Sequence, residues 1–316
     1  MPVGAYAVAS DRGRRRRHNE DNYVVAPPLF AVADGMGGAQ AGEVASRLAA
    51  SALEGGDSDG LDGPARVDAL IQEANRRVYD RASSDPTASG MGTTMTVALV
   101  EEMTVAMGHV GDSRAYLVRG DAMEQLTEDH SLVNELLKSG KLSEEEAQVH
   151  PQRSVITRAV GTDPDVDVDA FTIEAEEGDI FLICSDGLTD MVEDEEILEL
   201  VHLNRDDLDK AVKALVAAAN RGGGEDNITA VAFRISAEAA PSTEDTVTMP
   251  ALTGDEDEPD EQTREYADAS GEAPEEAAAP EAEPQPAANA KRVRLVLIGL
   301  VLLAIVAALV VWRLLR

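Results

Sequence analysis

Four aspartates in this chain share one setting. Asp34 closes the apolar run Leu29–Ala33 and precedes Gly35. Asp112 follows the run Thr104–His109 and Gly111, and Asp186 follows Ile180–Cys184 and precedes Gly187. Asp226 lies just behind three glycines, Gly222 to Gly224, and just ahead of the run Ile228–Phe233. One Asp-Gly pair is an ordinary turn signal, and Asp34 alone reads that way. Four carboxylates beside the ends of buried strands read differently, because they can converge on one hard cation. All-oxygen ligation suits Mg²⁺ or Mn²⁺. There is no Cys-x-x-Cys and no His-Glu-x-x-His, so a zinc site has no support. Clustered carboxylates also repel one another and disfavour folding without metal. Upstream, the stretch Ser10–Asp21 carries the run Arg14 to Arg17 shortly before the acidic pair Glu20-Asp21. A guanidinium beside a metal-binding acid cluster suits phosphate, since its fork grips two phosphate oxygens.

The elements that must position these residues are legible as periodic runs. Strands are expected at Tyr23–Val25, Leu29–Ala33, Thr94–Val100, Thr104–His109, Ala115–Val118, Ile180–Cys184 and Ile228–Phe233. Amphipathic helices are expected at Ala39–Leu53, Ala65–Ala82, His130–Lys138, Glu195–His202 and Leu208–Ala219. Several strands follow one another closely, with hairpin turns at Glu101-Glu102 and Arg119-Gly120-Asp121, so antiparallel meanders covered by helices are expected rather than β-α-β units. With aromatic residues at only 3%, the core must be built from Val, Leu, Ile and Ala.

Composition divides the 316 residues into three regions. Residues 1–236 read as one globular α+β domain. Residues 237–290 hold sixteen Asp or Glu against one basic residue, Arg264, with almost no large apolar groups. Such a tract cannot offset its conformational entropy and reads as a disordered linker spanning roughly 40 Å or more. Within residues 291–316, Leu295–Trp312 is an uncharged apolar run. As a helix it would be ~27 Å long, which matches a bilayer's hydrocarbon thickness. Lys291, Arg292 and Arg294 precede it, and only Arg313 and Arg316 follow. That bias, with no signal peptide at the N-terminus, predicts a single-pass membrane protein whose globular domain is cytoplasmic. The net charge of −33 argues against nucleic acid as a partner. The lone Cys184 permits no internal disulfide.

Taken in order, the motifs resemble those of the bacterial metal-dependent type 2C (PPM family) protein serine/threonine phosphatases. The pattern S-D-x-G-x-x-R-x-x-N-E-D appears at Ser10–Asp21, D-G-M-G-G at Asp34–Gly38 and G-T-T at Gly92–Thr94. G-D-S-R appears at Gly111–Arg114, S-D-G-L at Ser185–Leu188 and G-G-x-D-N at Gly223–Asn227. The resemblance implies an α-β-β-α sandwich of two antiparallel sheets flanked by helices, with two Mn²⁺ or Mg²⁺ ions at one end and a third in bacterial members. It implies that Asp34 bridges the ions and Gly35 offers its carbonyl. Asp186 and Asp226 would complete one metal, Glu20 and Asp21 would hold waters on the other, and Asp112 would bind the third with Asp186. Arg16 matches the phosphate-binding arginine, and the segment from about His130 to Arg153 the flap. The reaction implied is direct attack of a metal-activated water on phosphoserine or phosphothreonine, with no phosphoenzyme. The expected partners are phosphoproteins and the Ser/Thr kinases they come from, and the catalytic domain is expected to be monomeric. Animal members carry a His after Asp-Gly where this chain has Met36. The general acid is therefore unassigned, with His18, His109 and a metal-bound water as candidates.

Rival chemistries would leave other signatures. A cysteine phosphatase needs an Arg six positions after its Cys, and Asp190 stands there; no P-loop motif exists either. A phosphoprotein-binding pseudophosphatase would have lost metal ligands, and every expected acid is present. Phosphatases acting on anti-sigma antagonists usually carry sensor domains, and none is legible here.

Overall fold

The computed structural model describes residues 2–37, 41–55, 60–148 and 150–236. The predicted linker and the predicted transmembrane segment lie outside the described residues. Among the described residues no helix is long and apolar enough to cross a membrane.

Two antiparallel sheets face each other. The first contains β1 (Val3–Asp11), β11 (Ile228–Ile235), β10 (Ile180–Cys184), β7 (Arg114–Arg119) and β8 (Ala122–Gln125), in that spatial order. The second contains β2 (Asp21–Ala26), β3 (Leu29–Met36), β5 (Met95–Glu101), β6 (Thr104–Val110) and β9 (Asp169–Glu174), with the short β4 (Gly92–Thr93) paired to β3. Helices α1 (Ala41–Gly55) and α2 (Gly63–Ser84) cover the second sheet. Helices α5 (Asp186–Thr189), α6 (Asp194–Leu203) and α7 (Leu208–Gly222) belong to the first. Helices α3 (Leu132–Lys138) and α4 (Glu144–Gln148) form the segment expected as the flap.

Three apolar layers result, as an α-β-β-α sandwich requires. One joins α1 and α2 to the second sheet through Ala45, Ala49, Ile71, Val78 and Val97. Another joins α6 and α7 to the first sheet through Val201, Val212, Leu215 and Leu182. The third lies between the sheets. There Phe30 stacks on Phe233 at 4.2 Å between centroids, and Phe233 on Phe181 at 5.1 Å. The expectation of a purely aliphatic core needs this correction. Three of the four Phe residues sit at the centre of the inter-sheet layer. A stacked pair there contributes about 0.5–1.5 kcal/mol beyond its buried area.

All seven predicted strands form. Central β5 and β10 are buried along nearly their whole length, and so appear as largely apolar runs. The strands the sequence does not announce are β1, β4, β8 and β9. The last is an edge strand alternating half-buried and exposed residues, and β8 is an edge strand mostly open to solvent. The five predicted helices form within a few residues. The β5–β6 turn sits one residue later than expected, with Glu102 at φ 52. The strand β3 also runs through Asp34 to Met36, because Gly35 and Met36 pair with Thr93 and Gly92 of β4. Asp34 is therefore not a turn residue.

The chain passes between the sheets at one end of the sandwich. The β1–β2 connection leaves the first sheet after Asp11 and enters the second at Asp21. The β6–β7 connection crosses back through residues 111–113. β10 finishes and β11 begins at this same end, since Cys184 pairs with Ala230 and Asp11 with Ile228. Residues at these crossings must face each other, whatever their separation in sequence.

Candidate active site

The crossings bring together every acid singled out from the sequence. Asp21 stands directly opposite Asp34 across the β2–β3 pair. Its Oδ2 accepts from Thr229 Oγ1 at 2.6 Å and from Ser185 Oγ at 2.8 Å, so one carboxylate ties the two sheets together. Asp34 is fixed through its backbone. Its N–H donates to Thr94 Oγ1 at 2.9 Å, and its carbonyl accepts from Thr93 Oγ1 at 2.7 Å and Thr94 N–H at 2.8 Å. Asp186 opens α5 immediately after β10, and Asp226 precedes β11. Asp112 lies in the β6–β7 crossing and is 9% exposed.

Glycine beside each acid is explained at two of these positions. A Cβ on Gly187 would lie 2.0 Å from the Asn227 carbonyl oxygen, and one on Gly35 would lie 2.1 Å from that of Gly42. Only bare backbone lets Asp186 approach Asp226, or lets β3 approach the start of α1. Asn227 holds the arginine-rich loop in place. Its Oδ1 accepts from Glu20 N–H at 2.8 Å, and its Nδ2 donates to the carbonyls of Arg12 and His18 at 2.9 Å each. Arg16 thereby reaches Asp226, with Nη2 2.5 Å from Oδ2.

The electrostatics of the cluster are costly. Burial pushes the carboxyls of Asp34 and Asp186 well above the ordinary Asp range, and the neighbouring aspartates push them further. Burial likewise raises Asp21 and Asp112 to about 6. For Asp21 the hydrogen bonds from Thr229 and Ser185 work against that rise. Glu20 is raised by burial, with Arg16 opposing. Three carboxylate oxygens are buried with no hydrogen-bond partner: Asp21 Oδ1, Asp112 Oδ1 and Asp186 Oδ1. A buried acceptor with no donor is normally avoided, and three in one cluster fit cation ligation. Among the described residues no three His, Cys, Asp or Glu side chains close into a finished metal cage. The acids instead interact in overlapping pairs, Asp34 with Asp21 and Asp186, and Asp186 with Asp112 and Asp226. The donor set is oxygen throughout, as Mn²⁺ or Mg²⁺ requires.

A groove of about 740 Å³ opens beside this cluster. Asp112, Asp186 and Asp190 line it, together with Asn134, Lys138 and Arg153 of the segment expected as the flap.

The profile of the family described as protein phosphatase 2C matches residues 14–227. The chain belongs to the protein phosphatase 2C family. The serine/threonine phosphatase stp of Listeria innocua is 42% identical over 231 residues, covering 70% of this chain and 91% of its own length. The crystal structure of the Mycobacterium tuberculosis serine/threonine phosphatase PstP superposes with a TM-score of 0.70 at 41% identity, covering 74% of this chain and 99% of that one. The PstP catalytic domain in complex with two manganese ions gives a TM-score of 0.68 at 39% identity, over 74% and 99% of the two chains. This phosphatase is thus a metal-dependent protein serine/threonine phosphatase, with Mn²⁺ or Mg²⁺ as its cofactor.

Of the two histidines considered as general acid, His109 is removed. Its ring is fully buried and bonded to Thr96 Oγ1 at 2.9 Å and to the Glu128 carbonyl at 3.1 Å. Burial lowers it to about 4, so it is a neutral core residue. His18 is exposed on the loop beside Glu20. Cys184 is fully buried and its thiol is pushed up to about 12, so it is no nucleophile. Sequence reasoning gave no role to Thr93, Thr94, Asn227, Ser185 and Thr229, or to Asp190, whose carboxyl burial raises beside the cluster. The motifs contain Thr93, Thr94, Ser185 and Asn227, but nothing in the sequence marks Thr229.

Proposed function

We propose that residues 1–236 form the catalytic domain and hydrolyse phosphoserine and phosphothreonine in proteins at this acid cluster. Asp34, the Gly35 carbonyl, Asp186 and Asp226 would hold the ions, and Glu20 and Asp21 would hold them through water. Asp112, with Asp186, would hold a third. When bound, the ions supply Lewis acidity toward the phosphoryl group and a nucleophilic water of lowered pKa. The protein's own residues do the rest. Thr93 and Thr94 lock the Asp34 backbone, and Asn227 locks the loop that carries Arg16 and Glu20. Arg16 grips the phosphoryl oxygens. Its guanidinium is held beside the cluster by Asp226, the carboxylate that would help hold an ion.

The observation that carries this reading is the set of three buried, unpartnered carboxylate oxygens in one all-oxygen cluster. Hydrolysis of a phosphothreonine peptide should require Mn²⁺ or Mg²⁺, stop with chelator and be lost in Asp186→Asn. A folded, metal-loaded wild type that binds the peptide without cleaving it would favour a phosphoprotein-binding role.

The tail supports a location. Residues 237–290 serve as an acidic spacer and Leu295–Trp312 as a single membrane span, with the phosphatase domain in the cytoplasm opposing membrane or cytosolic Ser/Thr kinases. The catalytic domain acts as a monomer. Release of the full chain from membranes by alkaline carbonate, without detergent, would refute the anchor.

A further inference from the structure

His130 belongs to no motif used above, yet it contacts the Asp112 crossing from two sides. Its ring Nδ1 accepts the Gly111 N–H at 3.0 Å, and its own N–H donates to the Gly111 carbonyl at 2.7 Å. Both backbone groups of the residue preceding Asp112 are therefore satisfied by one histidine. Gly111 can form this contact because it sits at φ +115, where a Cβ would lie 2.6 Å from the Thr94 side chain. Thr94 in turn bonds Ser113 Oγ at 2.8 Å and Asp34 N–H at 2.9 Å. The crossing is clamped between His130 on one side and the Thr94 strand on the other.

The ring itself is held. An Nδ1 that accepts from Gly111 leaves the neutral ring's proton on Nε2, which faces Asp169 Oδ2 at 3.1 Å. Arg158 Nη1 donates to the other Asp169 oxygen, Oδ1, at 2.7 Å and also stands 3.1 Å from Nε2 itself. Burial and the Arg158 charge favour the neutral form, with Asp169 opposing. The backbone of His130 also accepts from Thr157 N–H at 2.8 Å, where the flap segment returns. A bidentate pair between Arg114 and Asp129, with Nε–Oδ1 at 2.9 Å and Nη2–Oδ2 at 2.7 Å, closes the same seam one residue further on.

We propose that His130 is a positioning residue for Asp112, setting the carboxylate's aim through the acceptor its ring offers the Gly111 N–H. This rests on the reading of Asp112 as a metal ligand. Outer residues that orient ligands are typically worth about 10–100-fold in metal affinity or activity.

Two substitutions separate the ring's two contacts. Asn at position 130 keeps an acceptor where Nδ1 stood and loses the reach to Asp169. Gln keeps a polar group near the Nε2 position and loses the acceptor for Gly111. Mn²⁺ binding to the full chain is measured by isothermal titration calorimetry and by the Mn²⁺-induced rise in melting temperature. Hydrolysis of a phosphothreonine peptide is followed alongside. Wild type, His130→Asn, His130→Gln and Asp112→Asn are compared, so binding by the acidic tract cancels in the differences.

The expected result is that His130→Gln weakens one class of Mn²⁺ site by about 10–100-fold. It lowers kcat with little change in the peptide KM, and His130→Asn stays within a few-fold of wild type. If His130→Gln does not fold, His130→Ala against His130→Asn makes the same comparison. Equal Mn²⁺ affinity in wild type and His130→Gln, while Asp112→Asn loses a site, would overturn the positioning role alone. So would equal losses in the Gln and Asn variants, which would mark His130 as merely structural. Asp112→Asn with wild-type Mn²⁺ binding would overturn the ligand reading beneath it.

Discussion

Removing a negative charge from the cluster should stabilise the metal-free protein while destroying part of its metal response. Asp112 is the clearest test. Burial, with Asp129 and Asp190 adding to it, moves its carboxyl from 3.8 to about 6. That difference corresponds to about 3 kcal/mol between the two protonation states. The sign follows from linkage. A carboxyl raised in the fold favours folding fully below about pH 3.8, the unfolded value. That contribution is lost as pH rises through about 6. Asp21, also raised to about 6, acts in the same direction. With chelator present, the melting temperature should therefore fall between pH 5 and pH 7.5. In Asp112→Asn part of that fall should vanish. At pH 7.5 the variant should melt several degrees higher than wild type, given roughly 2–4 °C per kcal/mol for a domain of this size. The gain stays below the full 3 kcal/mol because the buried amide must find partners of its own. Saturating Mn²⁺ should reverse the order, raising wild type more than the variant. Scanning calorimetry at both pH values, with chelator and with Mn²⁺, measures all four cases. A lower melting temperature for the chelated variant at pH 7.5 would refute the reasoning, as would a metal-free wild type that gains stability from pH 5 to pH 7.5.

Three further outcomes are expected. Arg16→Ala should weaken phosphopeptide turnover, and Arg16→Lys should not restore it, since the lysine lacks the fork; steady-state kinetics with rescue by added guanidinium checks this. Thr94→Val keeps the side chain's shape but strips the hydroxyl that accepts Asp34 N–H and meets Ser113. It should cost about 1–3 kcal/mol in denaturant unfolding and lower kcat. Gly187→Ala would force a Cβ to within 2.0 Å of the Asn227 carbonyl. It should shift Asp186 against Asp226 and lower activity by on the order of 100-fold, as misplacements near 1 Å do, while a wild-type rate would show that the contact relaxes freely.

The strands missing from the sequence reading show what a linear pattern can carry. β10 and β5 announce themselves because both faces are covered, so β10 is wholly apolar and β5 carries the run Val97–Val100. β9 alternates at a sheet edge and looks like polar loop. β1 mixes Ala, Ser and Tyr, and becomes a strand only because β11, more than two hundred residues away, pairs with it in register.

The sequence by itself determined the chemistry. Oxygen donors, glycines beside them and an arginine before Glu20 and Asp21 are fixed by residue type, and no folding is needed to exclude a thiol nucleophile or a zinc cage. The tertiary structure decided everything that depends on approach. It set Asp21 against Asp34, bound Asp21 to Ser185 and Thr229 of the other sheet, and left three acid oxygens buried without partners. It also took His109 into the core and set His130 against Gly111. The physical reason is common to all of these. A residue's type states what bonds it can make, whereas burial and partners are properties of the chain crossings that bring distant segments within 3 Å.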